Sequence, residues 1–314
     1  RFYIGFPIKY KKELYLTIIK RSKTVRNLSK KINISYTRLW DQLIRVPISI
    51  EALNKVSEYL VDEGYNKYKL NNIQKHILYI KSAGSKSQKL YYPKFPINLK
   101  TQEGIRIISH LYHDGCIGRF NKQPQYANQS KEEIRQFLED SIKLFGDFKR
   151  EIKCGFGHGI KKKKYFIINL PTVIGEIMIK AGFVPGDKTK NDPPVFKFIK
   201  KINNKKLVSE YLAKAFNDEG NVGNRQISFP QSTLIKIKPK PSNILLLSKL
   251  LLERLNIKVN GPMISGVYKN KDGLVATFIL SIFSKDNLRR FNNNIKLIDY
   301  KREKLEKYLI GAGK

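Results

Sequence analysis

The sequence feature that most constrains the fold is an internal repeat. Two nonamers, IISHLYHDG at residues 107–115 and LAKAFNDEG at residues 212–220, each look like an apolar helix that ends in an acidic residue and a glycine. The same order of predicted elements follows each nonamer: a strand pair, a helix, a second strand pair and a helix. Because a repeat sets an architecture more firmly than any single element does, we expect an α+β fold with two pseudo-symmetric α-β-β-α-β-β-α units.

The periodicity of apolar residues assigns these elements to segments. In the first unit, helices are predicted at 104–114, 130–146 and 171–182, and strand pairs at about 117–129 and 148–170. In the second unit, helices are predicted at 206–219, 241–255, 283–294 and 300–309, and strands at about 222–238, 263–268 and 274–282. The predicted division is therefore an all-α helix-turn-helix domain at 1–81, a linker at 82–96, repeat 1 at 97–205 and repeat 2 at 206–314.

The helix-turn-helix prediction depends on the stretch TVRNLSKKINISYTRLWDQLI, which begins at Thr24. Val25, Leu28 and Ile32 fall on one helical face. Asn33 suits a left-handed turn position, and Ser35 is placed to cap the second helix. The stretch resembles repressor-type helix-turn-helix units, although Gln42 stands where an apolar residue is more usual. An ordinary three-helix packing unit remains the alternative.

The charge of the chain indicates its partners. Lys and Arg number 61 against 26 acidic residues, a formal net charge of +35. Nucleic acid is the leading partner, since phosphate contacts release counterions, and an anionic membrane surface is the rival. The most apolar run, which starts at Ile244, is broken by Lys249 and Arg254 and is too short to span a bilayer. With two cysteines there is no disulfide framework, so we expect a cytoplasmic, prokaryotic protein with no membrane partner.

An acidic residue precedes the glycine of each nonamer: Asp114 in the first and Glu219 in the second, 105 positions apart. A carboxylate at a helix C-terminus faces the negative end of the helix dipole, which is unfavourable by ~0.3–1 kcal/mol. If the two helices pack side by side, the carboxylates also repel each other. A divalent cation would reverse both effects, and Mg²⁺ commonly binds one or two carboxylates plus phosphate oxygens. Two solvated helix ends are the alternative.

The two nonamers resemble the LAGLIDADG motif, and the repeat resembles the fold of LAGLIDADG homing endonucleases of the archaeal, single-chain type. The runs YANQSKEEIRQFLEDSIKLFG and LPTVIGEIMIKAGFVPGDKTK are similar to segments that follow the first motif in archaeal members. The resemblance covers residues 97–314. It implies a monomeric, intron-encoded type of Mg²⁺- or Mn²⁺-dependent nuclease whose strands form a saddle on double-stranded DNA. Asp114 and Glu219 would bind the metal, with the backbone carbonyls of His113 and Asp218 as further ligands.

Two positions depart from the motif. Small residues normally let the motif helices approach closely, but the matching positions here are Ser109 and Lys214. Ser109 is acceptable, whereas Lys214 puts the local packing register in doubt. Both catalytic positions remain acidic.

The resemblance also implies a catalytic lysine near the end of the last helix of each repeat. In the first copy this residue is Lys188 or Lys190, and in the second it is Lys296 or Lys301. A solvated surface lysine is the alternative for each.

Direct reading of bases requires polar side chains that alternate on strands in the major groove. The first copy offers them at period two in GRFNKQPQYAN, and the second in NVGNRQISFPQS. Lysines beside these strands, and the start of the second helix-turn-helix helix, would contact phosphates or bases. The predicted DNA-binding residues are Arg119, Asn121, Lys122, Gln123, Gln125, Asn224, Arg225, Gln226, Ser228, Lys236, Lys163, Tyr36, Thr37 and Arg38.

Several alternatives stay open. A non-cleaving DNA-binding regulator on the same fold and an RNA-binding intron maturase are the rival functions. A zinc site formed by His113, Cys116, Cys154 and His158 has suitable ligand types but permissive spacing. The terminal residues Arg1 and Lys314 are not those of a protein-splicing junction, so we do not expect a self-splicing intein.

Overall fold

The structure is a computed structural model that describes residues 2–84, 87–156, 163–223 and 225–311. It divides into two compact units. The first contains Arg1–Ile97, Phe145–Arg150 and Leu170–Ile174, and the second contains Asn98–Leu144, Glu151–Asn169 and Gly175–Lys314. Each unit is described by itself.

The elements are numbered in chain order. The helices are α1 Ile8–Ser22, α2 Val25–Lys31, α3 Tyr36–Ile44, α4 Ile50–Asp62, α5 Leu70–Ile73, α6 Gln102–Tyr112, α7 Lys131–Phe145, α8 Thr172–Lys180, α9 Lys188–Asn191, α10 Lys197–Lys200, α11 Lys205–Asp218, α12 Asn243–Arg254, α13 Lys285–Asn294 and α14 Asp299–Gly311. The strands are β1 Phe2–Gly5, β2 Ile48–Ser49, β3 Tyr79–Ser82, β4 Leu90–Tyr91, β5 Gly115–Ile117, β6 Pro124–Asn128, β7 Asp147–Phe148, β8 Ile152–Phe156, β9 Lys164–Asn169, β10 Asn221–Val222, β11 Ile227–Leu234, β12 Asn260–Asn270 and β13 Gly273–Ile282.

The first unit is not all-α, so that part of the prediction is wrong. Its helices accompany a five-stranded sheet with the order β2-β1-β3-β4-β7. In this sheet β1 pairs antiparallel with β3, and Ile4 lies opposite Ile80. Both isoleucines are buried, and this burial explains why such short strands form. The segment predicted as a linker contributes β4 to the sheet.

The predicted helix pair of the first unit is present as α2 and α3. Thr24 caps α2 by accepting a hydrogen bond from the backbone N–H of Asn27. Asn33 has the expected left-handed backbone, with φ of 50°. Ser35 occupies the cap position of α3, but its side chain makes no capping hydrogen bond. Gln42 is buried, and its side-chain oxygen accepts from the backbone N–H of Ser49, which explains why a polar residue is tolerated there.

The second unit contains two four-stranded antiparallel sheets. Their orders are β5-β6-β9-β8 and β10-β11-β13-β12, so each sheet places its four strands in the sequence first, second, fourth and third. Helix α6 leads directly into β5, and α11 leads into β10. The chain therefore forms a mixed α+β structure with antiparallel sheets, and each sheet follows one of the two nonamers.

Two predicted strand regions differ in detail from the structure. The strand pair predicted at 117–129 has a turn at residues 118–123 between β5 and β6. Phe148, predicted to start the next strand pair, lies in β7 and belongs to the sheet of the first unit.

The Leu-rich helix α12 buries Ile244, Leu251 and Leu252 in the second unit. None of the described helices has the length and apolar character that a membrane crossing requires.

Candidate functional site

Helices α6 and α11 pack closely, and this packing positions the candidate site. The hydroxyl of Ser109 donates to the backbone carbonyl of Tyr211 at 2.7 Å. The guanidinium of Arg106 pairs with Asp140 at 2.6–2.7 Å and with Glu210 at 3.1 Å, which ties α6 to both α7 and α11. A side chain as small as Ser109 allows the two helices to approach, and their C-terminal ends then lie next to each other.

Glycine just past a helix end is usually a left-handed cap, but the glycines after α6 and α11 are not. Neither Gly115 nor Gly220 has a positive φ. Each glycine is instead required because the chain turns back against the helix. A Cβ on Gly115 would lie 2.9 Å from the carbonyl oxygen of His110, and one on Gly220 would lie 2.6 Å from that of Phe216. The close turn brings Asp114 and Glu219 directly to the helix ends.

Three carboxylates meet at these ends, and each has a raised pKa. Desolvation is the largest cause of the raised pKa of Asp114, which is about 7, and repulsion by Asp218 adds to this rise. The residue as a whole is nevertheless exposed. Desolvation also raises the pKa of Glu219 to about 8; Lys188 opposes this shift, and Asp114 adds to it. Asp218, whose side chain is fully buried, has its pKa raised to about 8 by desolvation. The residues predicted as metal ligands are therefore close enough to repel each other.

An amide side chain holds each of the two predicted metal-binding carboxylates. Asn128 on β6 donates to Asp114 at 3.0 Å and to Asp218 at 3.1 Å. Gln231 on β11 donates to Glu219. Each amide lies on the second strand of its sheet, so the sheets orient the acidic groups that the helices bring together.

Two of the four predicted catalytic lysines lie at the helix ends. The ammonium of Lys188 donates to the backbone carbonyls of His113 and Gly115. That of Lys301 donates to the carbonyls of Phe216 and Asn217, at 2.8 Å each. Positive charge at a helix C-terminus is favourable. Burial lowers the pKa of both lysines, while the nearby carboxylates oppose this shift.

The other two predicted lysines lie elsewhere. Lys190 pairs with Asp272 at 2.7 Å, and Lys296 is exposed at the start of the segment before α14. The spacing between the candidates in each pair is only a few residues, so the sequence leaves the choice open and the packing separates them.

The donor set at the helix ends fits a hard divalent cation in part. The carboxylates of Asp114 and Glu219 are suitable oxygen ligands for Mg²⁺, with water and phosphate oxygens completing the coordination. The backbone carbonyl of His113, predicted as a further ligand, accepts from Lys188 instead. Within the part of the chain that the structure describes, no group of three His, Cys, Asp or Glu side chains is arranged to hold a metal ion. Phosphate would therefore have to complete the site.

A buried polar network beside the site was not predicted from the sequence. Asp218 accepts from the hydroxyl of Tyr126 at 2.7 Å and lies 2.9 Å from Nδ1 of His110. Burial lowers the pKa of His110 to about 3, so the ring is neutral. The sequence feature that could have indicated this network is the consecutive acidic pair Asp218 and Glu219, because only Glu219 is needed to match the motif.

Lys214 does not disturb the helix pair, because its side chain is directed to α7. Its ammonium pairs with Glu133 at 2.9–3.1 Å and with Gln136 at 2.6 Å. Both Lys214 and Glu133 are buried, and Asn217 also donates to Glu133. The departure from the motif is thus compensated by a buried ion pair.

The predicted DNA-reading residues of the first copy lie mostly in a turn. Only Gln125 is on a strand, where it is exposed and donates to Asn169 at 3.0 Å. The turn between β5 and β6 contains the others: Arg119, Asn121, Lys122 and Gln123. The period-two strand prediction is wrong for Arg119, Asn121 and Gln123, because Asn121 accepts from the backbone N–H of Gln123 and closes the turn. Lys163 is exposed just before β9.

Among the described residues of the second copy, Gln226 and Ser228 differ from the prediction of polar side chains that alternate on an exposed strand. Ser228 is buried on β11, and a buried hydroxyl is not presented to a DNA groove. Arg225 is exposed, with φ of 63°, and Gln226 is half-buried in the turn before β11. Lys236 is exposed after β11, and Asn224 lies outside the described residues.

In the first unit, the predicted DNA contacts lie in the first turn of α3. Tyr36 and Thr37 are exposed. The guanidinium of Arg26 lies 5.3 Å from the ring centroid of Tyr36, and Arg38 pairs with Glu51 at 3.1 Å. The surface thus combines aromatic and cationic groups.

The zinc alternative is not supported. Cys116 lies on β5 and Cys154 on β8, and these strands are the opposite edges of one four-stranded sheet. His113 is buried between aromatic rings, and His158 lies outside the described residues. Two strands separate the cysteines, so one tetrahedral ion cannot bind both.

Comparison with known proteins gives structural matches only. No family model and no curated protein matches the chain. Similar solved structures include full-length DUF199/WhiA from Thermatoga maritima, at 14% identity and a TM-score of 0.40 over 70% of this chain and 64% of that one. The N-terminal LAGLIDADG domain of DUF199/WhiA matches at 15% identity and a TM-score of 0.38, over 68% of this chain and 90% of that one.

The homing endonuclease I-DmoI in complex with DNA and Mn matches at 11% identity and a TM-score of 0.38, over 63% of this chain and 97% of that one. This chain spans less than two thirds of full-length DUF199/WhiA. At such identities and TM-scores, these similarities establish neither a family nor a function.

Proposed function

We propose that the protein is a site-specific, double-strand DNA endonuclease of the LAGLIDADG homing type that uses a divalent metal. The observation that carries the proposal is the meeting of Asp114 and Glu219 at the ends of α6 and α11. Repulsion by Asp114 contributes to the raised pKa of Glu219, and repulsion by Asp218 contributes to that of Asp114. A fold gains no stability from two such carboxylates. A cation between them would stabilise both ionised groups and would bring a phosphate oxygen into the site.

The proposed architecture is a monomer with two pseudo-symmetric repeats at residues 97–205 and 206–314. The equal strand order of the two sheets supports it. So does the placement of matching groups: Tyr126 and Asn128 on β6 correspond to Phe229 and Gln231 on β11. Each amide holds the carboxylate of its own copy.

Each group at the site has a proposed role in phosphodiester hydrolysis. Bound divalent cations would supply a water of lowered pKa and neutralise charge on the leaving oxygen. Asp114 and Glu219 bind and orient these ions, and Asn128 and Gln231 fix the carboxylates. Lys188 and Lys301 place positive charge beside the phosphate, where it stabilises the charge that develops in the transition state.

The proposed partner is double-stranded DNA. The net charge of +35 favours phosphate contact, and binding should weaken steeply as salt rises. Gln125 on β6 and the turn residues Arg119, Lys122, Arg225 and Gln226 are proposed to face the DNA. The surface of α3 with Tyr36 and Thr37 is proposed as a further DNA contact of a helix-turn-helix type, which adds to the length of the recognised site.

One observation favours a second candidate, a non-cleaving DNA-binding regulator. The ammonium of Lys188 already lies at the helix ends and opposes the rise in the pKa of Glu219. It therefore neutralises part of the charge that a cation would otherwise neutralise. In that case the carboxylates and Lys188 form a structural cluster.

Cleavage of a random library separates the two candidates. The full chain is incubated with Mg²⁺ and plasmids that carry randomised inserts, and the linear products are sequenced at their ends. The nuclease predicts a single enriched site with paired cuts. DNA that is bound and enriched on filters, without any cut product in Mg²⁺ or Mn²⁺, would support the regulator and contradict the nuclease.

A further inference from the structure

His113 is a buried side chain whose polar atoms have no partner. It is 2% exposed, and neither ring nitrogen has a hydrogen-bond partner among the described residues. Its ring lies edge-on to Tyr211 at 5.9 Å and to Phe229 at 5.4 Å. A phenylalanine would satisfy this aromatic packing without leaving two unpaired nitrogens, so packing alone does not account for the imidazole.

His113 is one of the residues that line a cavity of about 370 Å³ at the candidate site, and both of its ring nitrogens are buried. Lys188, Glu219 and Gln231 also line this cavity. The Nδ1 atom of His113 is 3.9 Å from an Oε1 atom of Glu219, which is too long for a hydrogen bond. A buried ring nitrogen and a carboxylate oxygen thus lie next to each other at the edge of the cavity without bonding to each other.

The matching position in the other copy is fully satisfied. Asp218 occupies it, and its carboxylate accepts from Tyr126 and Asn128 and contacts His110. The two copies therefore differ: at one helix end the extra polar group is bonded into the protein, and at the other it is buried without a hydrogen-bond partner among the described residues. This difference argues that the free imidazole serves a ligand.

We propose that His113 and Glu219 together bind one divalent transition-metal ion at the edge of this cavity, through Nδ1 and a carboxylate oxygen. Two atoms 3.9 Å apart can both lie about 2.1 Å from a single ion, the usual length of metal bonds to histidine and carboxylate. Water and a DNA phosphate oxygen would fill the remaining positions. The inference rests on the proposed role of Glu219 as a metal ligand and extends it to a residue outside the motif's acidic positions.

The proposal predicts which metals this half of the site prefers. Imidazole favours Co²⁺, Ni²⁺ and Zn²⁺ over Mg²⁺, whereas carboxylate alone does not. The proposed site of His113 and Glu219 should therefore bind Mn²⁺, Co²⁺ and Ni²⁺ with affinity that rises in this order, and should bind Mg²⁺ weakly. On the Asp114 side the nearby imidazole, that of His110, already contacts Asp218 through Nδ1, so this side should lack the preference.

The test measures metal binding rather than cleavage. Mn²⁺ is added to the full chain, with and without mixed-sequence duplex DNA, and pulsed electron paramagnetic resonance detects ¹⁴N coupling from a bound imidazole. Wild type should show the coupling. In H113F, which keeps the ring packing, the coupling should vanish and the Kd for Mn²⁺ should rise about tenfold or more. H76F is the matched control, because His76 stacks on Tyr10 outside the second unit, and it should keep the signal.

The outcomes separate this inference from the nuclease proposal. Mn²⁺ bound without ¹⁴N coupling, an unchanged signal in H113F, or no Mn²⁺ binding at all would overturn the ligand role, even if the protein cuts DNA. Coupling that depends on His113 in a protein that never cuts would support the ligand role and contradict the nuclease. If H113F does not fold by circular dichroism, H113Q supplies the same comparison.

Discussion

The hydroxyl of Ser109 donates to the backbone carbonyl of Tyr211 at 2.7 Å, and both residues are fully buried between α6 and α11. This contact fixes how closely the two helices approach. The distance between Asp114 and Glu219 depends on that approach, because each carboxylate lies within two residues of its helix end. The helix pair is thus both a core element and the scaffold of the site.

Replacing Ser109 by leucine should separate the helices. Overpacking of a filled interface destabilises a protein by about 1–3 kcal/mol, and we expect S109L to lose this amount in urea unfolding. S109A is the control, since it loses only one hydrogen bond, worth about 0.5–1.5 kcal/mol. Equal stability of S109L and S109A would show that the interface has room and that Ser109 does not set the helix approach.

Stability should depend on pH through the acidic pair. The folded-state pKa values of about 7 for Asp114 and about 8 for Glu219 lie above ordinary carboxyl values, so the folded state holds more protons between about pH 4 and pH 8. The contribution of these groups to the free energy of unfolding is complete below about pH 4 and is lost as the pH rises through 7 and 8.

The double variant D114N/E219Q isolates this contribution, because other titrating groups such as His110 remain in both proteins. We expect wild type to lose stability relative to the variant between pH 5 and pH 8.5 in urea titrations. Mg²⁺ should raise the free energy of unfolding of wild type more at pH 8.5 than at pH 6, since it binds the ionised carboxylates. If the free energy of unfolding varied with pH in the same way for the two proteins, this result would contradict the raised pKa values.

The lysine pairs supply matched variants. K188M and K301M should each lower the rate of DNA cleavage by about 10²-fold, the loss typical of one group that stabilises transition-state charge. K190M and K296M should cut at close to the wild-type rate, because Lys190 pairs with Asp272 away from the helix ends and Lys296 is exposed. Single-turnover rates measure all four. A greater loss in K190M than in K188M would reverse the assignment in the first copy.

The sequence was sufficient for features that depend on local chemistry. Asn33 was predicted in a left-handed turn and has φ of 50°, because asparagine tolerates that conformation. Asp114 and Glu219 were predicted at helix ends, and the structure has them there, because an apolar run, an acidic residue and a glycine mark such ends. The mixed helix and strand content of the second unit was also predicted correctly.

Features that depend on distant pairing were not predictable. Strand β1 needs β3, some 75 positions along the chain, and runs this short carry little periodicity of their own. The buried bonds of Asp218 to Tyr126 and His110 join residues about a hundred positions apart. The role of the two glycines was not predictable either, because a close backbone approach and a left-handed cap favour the same residue.

The most direct test of the central claim uses the duplex selected from the library. Cleavage in Mg²⁺ and DNA affinity in Ca²⁺ are measured for wild type, D114N and E219Q, with K190M as the matched control. The account predicts that each carboxylate variant binds the duplex about as well as wild type but does not cut it, while K190M cuts normally. Cleavage by D114N or E219Q at the wild-type rate would contradict a metal site formed by Asp114 and Glu219.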